Sequence, residues 1–295
     1  VLAQVRQIAF KELGDRFRSG WVLACILVWL GAIGLTSFFG LLQIGRIGAQ
    51  GYERTVISLL NLVQYLVPLL GLLLGHDLIV METEDRTFRL LLAGGVSRAR
   101  LLLGKFAGGC FTLAIPLVAG FIIAGAGIGV AAHDHAIAPF LRLAISGLVL
   151  GIIFLALGLA LSCFSRTRIQ ALVVALLVWC FMVFVFDLVA LGILFSNRAP
   201  AAAQEIELVC DATHVNAAAD LHSAYDNVAP AEHAAQQTAA SLGWLGLNPI
   251  DLFRAVNLSQ QMNLGVPAGM MILSVSLWLA LPLGLGLWKF RRTDL

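Results

Sequence analysis

The chain has 295 residues, 60% of them hydrophobic and 12% charged, and its mean hydropathy is +0.91. A soluble domain carries about 25% charged residues, so this composition excludes a soluble module and indicates an integral membrane protein. The net charge of +2 gives no indication of nucleic-acid binding, because the basic residues are spread over loops and form no face, and no nucleic-acid partner is expected.

Residues 1–18 read as an amphipathic helix. Leu2, Val5, Ala9, Leu13 and Phe17 follow helical spacing, and Arg6, Lys11, Glu12, Asp15 and Arg16 fill the other side. Such a helix lies in the membrane interface. Spans are expected at about 21–42 and 56–80, with a short polar loop (Arg46, Gln50, Glu53, Arg54) between them. Lys11, Arg16 and Arg18 precede a full-length first span, not the short apolar core of a cleavable leader.

Residues 76–105 hold the densest charge: Asp77, Glu82, Glu84, Asp85, Arg86, Arg89, Arg98, Arg100 and Lys105. A charge at the bilayer centre costs at least ~2.5–3.5 kcal/mol, so most of this stretch lies in water. Within it, about 82–94 forms a short amphipathic helix with Phe88, Leu90, Leu91 and Leu92 on its apolar face. Gly94 and Gly95 end it, and Ser97 caps the next helix.

Further spans are expected at about 106–131, 141–163, 171–195 and 268–288. The loop at 196–266 is Ala-rich and helical in propensity over about 217–242, forming an extracytoplasmic cap. Asn248-Pro249-Ile250-Asp251 is a helix start, with Asn as cap and Pro at the first helical position. The helix 249–258 that follows dips into the outer leaflet. Small residues recur four apart at Gly71/Gly75, Gly104/Gly108, Gly125/Gly129, Gly147/Gly151 and Gly265/Gly269, a spacing that suits close helix packing.

Lys/Arg bias sets the orientation. With the N-terminus in the cytosol, all of the 19 Lys and Arg residues are inside except Arg46, Arg54, Arg142, Arg198 and Arg254. The long loop is acidic by contrast, with Glu205, Glu207, Asp211, Asp220, Asp226, Glu232 and Asp251. Both termini are then cytosolic.

No chemistry-bearing motif is complete. Gly104-Lys105 is followed by Phe106, so there is no phosphate-binding loop and any ATP hydrolysis belongs to another chain. Asp77 lies near the cytosolic end of its span, whereas Asp187 lies ~25 Å up its own at 1.5 Å per residue, so they form no aspartyl dyad. Asp77 is expected to cap or to pair with cytosolic-side Arg residues. Asp187 reads as a pathway acid or as a structural partner. His76 is the one membrane-embedded His, and no G-x-S-x-G accompanies any Ser, against an intramembrane hydrolase. His133, His135, His214, His222 and His233 fall on the outer side with Cys210, but none has i, i+4 ligand spacing. They read as solvated loop histidines, with transient copper or zinc contact as the alternative. Cys25, Cys110, Cys163 and Cys180 sit in or beside spans, leaving Cys210 without a disulfide partner.

The stretch 76–105 resembles the segment between the second and third spans of ABC-2 type permeases. Asp77, Ile79, Glu82, Glu84, Thr87, Leu90, Leu91, Ser97, Arg98, Leu102, Gly104 and Lys105 match that pattern; Arg86 and Gly95 depart from it, where Gly and Pro are usual. Lys11, Glu12, Leu13, Asp15, Arg18 and Ser19 resemble the family's elbow helix. Asn248, Pro249, Asp251, Phe253 and Arg254 and the tail at 290–295 also fit. The resemblance implies an all-α fold of six spans with an elbow helix (1–20), spans 1–5 (21–195) with a cytosolic coupling helix, a helical outer loop with a re-entrant helix (196–266), and span 6 with a tail (267–295). It implies a non-catalytic permease in a bacterial inner membrane, a homodimer served by two copies of a separate ATPase that binds ATP and Mg. Glu82, Glu84, Arg86 and Arg89, with Thr87, would orient the coupling helix on that ATPase, and Phe88, Leu90 and Leu91 would supply apolar contact. Within the family the chain is most similar to permeases of nitrous-oxide-reductase maturation. That likeness implies a periplasmic partner in copper-site assembly, for which Asn248, Asp251, Phe253 and Arg254 are the candidate surface. The competing readings are a passive scaffold for that partner and an exporter of another small solute or lipid.

Overall fold

The computed structural model describes residues 2–47, 49–84, 97–131, 137–185, 188, 248–258 and 268–292. Every regular element among them is helical. Six helical segments are long and apolar enough to cross a membrane: Gly20–Gly40, Thr55–Glu84, Arg98–Ala126, Phe140–Phe164, Arg168–Val185 and Gly269–Arg292. Most of the coupling-helix stretch (85–96), Asp187, His133, His135, His214, His222, His233 and Cys210 lie outside the described residues.

The first compact unit comprises residues 1–179 and 249–295. In it, α1 (Leu2–Phe17) precedes the spans α2 (Gly20–Ile47) and α3 (Ala49–Gly75). The helices close up where a polar loop is expected, α2 running to Ile47 and α3 starting at Ala49. Arg46, Gln50, Glu53 and Arg54 are good helix formers, so polarity there does not break the helix. A hydrogen-bonded turn at 76–79 joins α3 to the short α4 (Val80–Glu84), and α5 (Arg98–Ala131) carries the third span. α5 starts at Arg98, as the Ser97 cap predicts, and Lys105 within it is buried in an ion cluster. α6 (Ile137–Phe164) and α7 (Arg168–Cys180) follow, then α8 (Pro249–Leu258) and α9 (Ala268–Arg292).

The core lies where α3 and α5 meet α6, and α2 packs on α3 and α5. At the α3–α6 contact glycine is required. A Cβ on Gly71 would come within 2.6 Å of the Gly151 carbonyl oxygen, and one on Gly75 within 2.7 Å of the Leu155 carbonyl oxygen. Trp29 is fully buried between α2 and α5, its indole N–H donating to the Pro116 carbonyl at 2.9 Å.

The second compact unit is 180–248. Its described part is a π-helical turn at Phe181–Val185, Leu188 and Asn248, whose side-chain amide donates to the Met182 carbonyl at 3.2 Å.

Candidate functional site

The polar chemistry of the described chain concentrates at one end of the bundle, where α1, the turn after α3, α4 and the starts of α5 and α7 converge. The sequence pattern assigns the charged side of α1 to water. The structure turns part of that side inward. Val5, Ile8, Ala9, Glu12, Leu13 and Arg16 form a stripe at three- and four-residue spacing, all buried or half-buried, while Phe10 is 67% exposed. The stripe lies on α5 at two glycines. A Cβ on Gly104 would meet the Ile8 side chain at 2.8 Å, and one on Gly108 the Glu12 Cβ at 2.7 Å. That close approach brings Glu12 to Lys105.

A chain of ion pairs results. Arg16 contacts Asp77 through Nη2 at 2.7 Å and Glu12 through Nε at 2.9 Å, and its Nη1 donates to the Leu74 carbonyl at 3.0 Å. Lys105 Nζ lies 2.8 Å from Glu12 Oε2 and 3.0 Å from Glu82 Oε1. Thus Asp77, Arg16, Glu12, Lys105 and Glu82 form one line from the end of span 2, through α1 and span 3, back to α4. Of the two roles expected of Asp77, capping or pairing with an Arg, the structure shows the pairing, with Arg16. Burial pushes the Glu12 carboxyl up, but Lys105 and Arg16 outweigh it and hold the group below its ordinary value. Burial likewise opposes the charge on Arg16, and Asp77 and Glu12 more than restore it, leaving its pKa raised.

A carboxyl that titrates lower in the folded state contributes fully above the ordinary carboxylate range and loses that contribution as pH falls through its folded value. Glu12→Gln is therefore expected to lower the unfolding midpoint at neutral pH and to flatten its decline on acidification, compared with the native chain. A pH series of thermal melts on the detergent-purified protein checks this; parallel acid limbs would refute it.

α4 is tied on its other sides too. The Ser162 hydroxyl oxygen, 1% exposed on α6, accepts from the backbone N–H of Ile79 at 3.0 Å and of Val80 at 2.9 Å, capping the start of α4. Glu84 accepts from the Arg168 backbone N–H at 3.1 Å and faces its guanidinium at 3.4 Å, at the start of α7. Beyond the stretch 85–96, Arg98 Nη1 donates to the carbonyls of Phe290 (3.1 Å) and Arg291 (2.9 Å) in the last turn of α9. Ser162 carries no sequence signal, being one hydroxyl in a long apolar run. Buried at the start of the turn, His76 has Nδ1 2.7 Å from the Leu73 carbonyl, which can only accept, so the proton sits on Nδ1.

Of the expected coupling residues, the structure therefore describes Glu82 and Glu84 and brings both to this cluster. Arg86, Thr87, Phe88, Arg89, Leu90 and Leu91 lie outside the described residues. The other expected surface is at the far end of the bundle. There Phe253 is buried, Asp251 pairs with Arg254 at 3.2 Å, and Arg254 Nε donates to Gln64 on α3 at 2.6 Å; Asn248, which belongs to the second unit, is buried as well. Among the described residues no group of three or more His, Cys, Asp or Glu could hold a metal ion.

The profile of the family described as "ABC-2 family transporter protein" matches residues 6–295. The chain belongs to the ABC-2 transporter family. Two relatives bear the printed description "Probable ABC transporter permease protein NosY". The one from Pseudomonas aeruginosa is 34% identical over 303 aligned residues, covering 97% of each chain. The one from Stutzerimonas stutzeri is 32% identical over 308, covering 98% of each. The chain is thus a NosY-like ABC permease, the membrane subunit of a transporter whose family architecture includes an ATPase partner and a dimer. In an ABC-2 permease, the charged cluster sits at the root of the segment between the second and third spans.

Proposed function

We propose that the permease receives the motion of a separate cytosolic ATPase through the stretch 82–94 and distributes it through the charged cluster. The observation that carries this reading is the double tie of α4: Glu82 to Lys105 and through it to the elbow helix, and Glu84 to Arg168 at the start of span 5. With Ser162 on span 4, a displacement of α4 acts on four helices at once. On this reading the charged end faces the cytosol, both termini are cytosolic, and the membrane is the bacterial inner membrane. Two copies of the chain serve two ATPase subunits, which bind the ATP and Mg.

The output we propose is transport, or mechanical work on a periplasmic partner, in the copper-site maturation of nitrous oxide reductase during denitrification. The NosY description of both relatives and the sequence likeness support that assignment. Asp187 as a pathway acid, and Asn248, Asp251, Phe253 and Arg254 as a partner surface, belong to the same proposal. Because Asn248 and Phe253 are buried, Asp251 and Arg254 would carry the contact.

Purification through a tag on this chain is expected to bring down an ATPase subunit and a second, differently tagged copy. Phe88→Asp should abolish ATPase recovery or its coupling to maturation, because an apolar interface anchor is worth ~2 kcal/mol or more. Unchanged ATPase binding together with unchanged activity would refute the docking assignment. Full function with a hydrolysis-dead ATPase would instead favour the passive scaffold.

A further inference from the structure

The end of the bundle opposite the charged cluster contains a cavity of about 580 Å³. One wall is the first half of α6, with Arg142, Ile145, Ser146 and Val149; α8 supplies Phe253 and Val256, and α9 supplies Ile272 and Val275. It opens between helices toward the surroundings, since Leu141, Ile145 and Ile272 on its edge are each more than half exposed. Its lining is apolar except at few points. The Ser146 hydroxyl is already engaged, donating to the Leu143 carbonyl at 3.1 Å and accepting from Asn257 at 2.9 Å. Arg142 remains as the cation on the wall, half-buried and with no ion pair seen among the described residues.

The depth of the site identifies what surrounds it. Arg142 lies 20 positions before Ser162 on one continuous helix, so ~30 Å from the charged end at 1.5 Å per residue. That distance is the thickness of a bilayer core, which puts the guanidinium at the headgroup level of the far leaflet and the cavity just beneath it, at acyl-chain depth. The volume is in the ~300–1,000 Å³ range of formed ligand sites. A cation at headgroup level above an apolar slot open to the membrane is complementary to one class of molecule, an amphiphile with a phosphate above a hydrocarbon chain.

We propose that this cavity is a phospholipid site, in which one acyl chain fills the slot between α6, α8 and α9 and the phosphate rests on Arg142. The lipid is then a wall of the re-entrant helix α8, filling the gap between it and span 6. The inference is independent of the coupling role assigned to the opposite end.

The test uses the full chain with its ATPase in nanodiscs doped with a phosphatidylglycerol carrying a diazirine on one acyl chain. Photolabel is expected to concentrate on peptides spanning 145–153 and 271–276. Arg142→Glu should lower that labelling about five-fold, and Val275→Trp, which fills the slot, should lower it at least as far. Arg142→Lys keeps the charge and should retain the label, which separates loss of the site from loss of fold. Labelling spread evenly over the lipid-facing helices, or unchanged in both Arg142→Glu and Val275→Trp, overturns the proposal. So does an efficient disulfide between two copies through Val275→Cys, which would place a second chain in the slot.

Discussion

Lys105→Met is expected to be the most damaging single substitution in the charged cluster, lowering stability by about 3–5 kcal/mol, the cost of removing one partner from a buried ion pair. The Lys105 side chain is 5% exposed, and its two carboxylate partners, Glu12 and Glu82, are 13% and 18% exposed. Without the ammonium, Glu82 loses the ion pair it makes with Lys105, and Glu12 keeps only Arg16, which it shares with Asp77. Neither Glu12 nor Glu82 can regain full hydration while α1 lies on α5. Arg168→Ala removes an ion pair of the same formal kind but should cost at most about 1 kcal/mol, because those side chains are 42% and 34% exposed. Thermal melts of the two variants in one detergent make the comparison direct, and equal midpoints would show that burial does not govern the cluster. Lys105→Met combined with Glu82→Gln should recover part of the loss, a coupling of about 0.5–3 kcal/mol. If the cluster transmits motion, Lys105→Met should also weaken the coupling of ATP hydrolysis to maturation, an effect Arg168→Ala would produce only through Glu84.

The spans were legible in the sequence because length and hydropathy alone decide them: a run of ~20 apolar residues has one stable solution in a bilayer. The start of α8 was legible for a local reason as well, Asn248-Pro249 being helix-initiating chemistry. The ion cluster was legible in its membership and not in its wiring. Asp77, Glu82 and Lys105 stand out as charges beside apolar runs, but Arg16 sits on the polar side of an amphipathic helix, where a solvated side chain is the ordinary outcome. Nothing local reports that Gly104 and Gly108 let that helix settle on α5 and bury Glu12 and Arg16. Ser162 was illegible for the same reason, since its partners are amides 82 and 83 positions away. The polar stretch at 46–54 reads as a loop but is helical on both sides of residue 48, because Arg, Gln and Glu extend a helix readily.

Gly75→Leu is expected to separate spans 2 and 4 and to cost at least the ~1–3 kcal/mol of an overpacked core. The obstacle is main chain, not side chain. A Cβ at Gly75 would lie 2.7 Å from the Leu155 carbonyl oxygen and 2.9 Å from the Gly158 Cα, and the reciprocal Cβ at Gly158 would lie 2.9 Å from the Leu72 carbonyl oxygen. A flexible side chain could rotate away, but a helix backbone can move only as a unit, so the two axes must part along their length. In a bilayer, where no hydrophobic force drives helices together, that close packing is itself the source of association. Gly284→Ala is the control of opposite sign: nothing lies within 4 Å of its Cβ position, and Ala is the better helix former by about 1 kcal/mol. The midpoint should fall for Gly75→Leu and hold or rise for Gly284→Ala, and a neutral Gly75→Leu would refute the tight α3–α6 contact. The functional consequence follows from position. Gly75 lies four residues before Ile79, whose amide is held by Ser162 across the same helix pair. Parting the helices therefore withdraws the Ser162 hydroxyl from both amides and loosens the root of the stretch proposed to meet the ATPase, so under that proposal Gly75→Leu should uncouple the permease even in membranes where it still assembles.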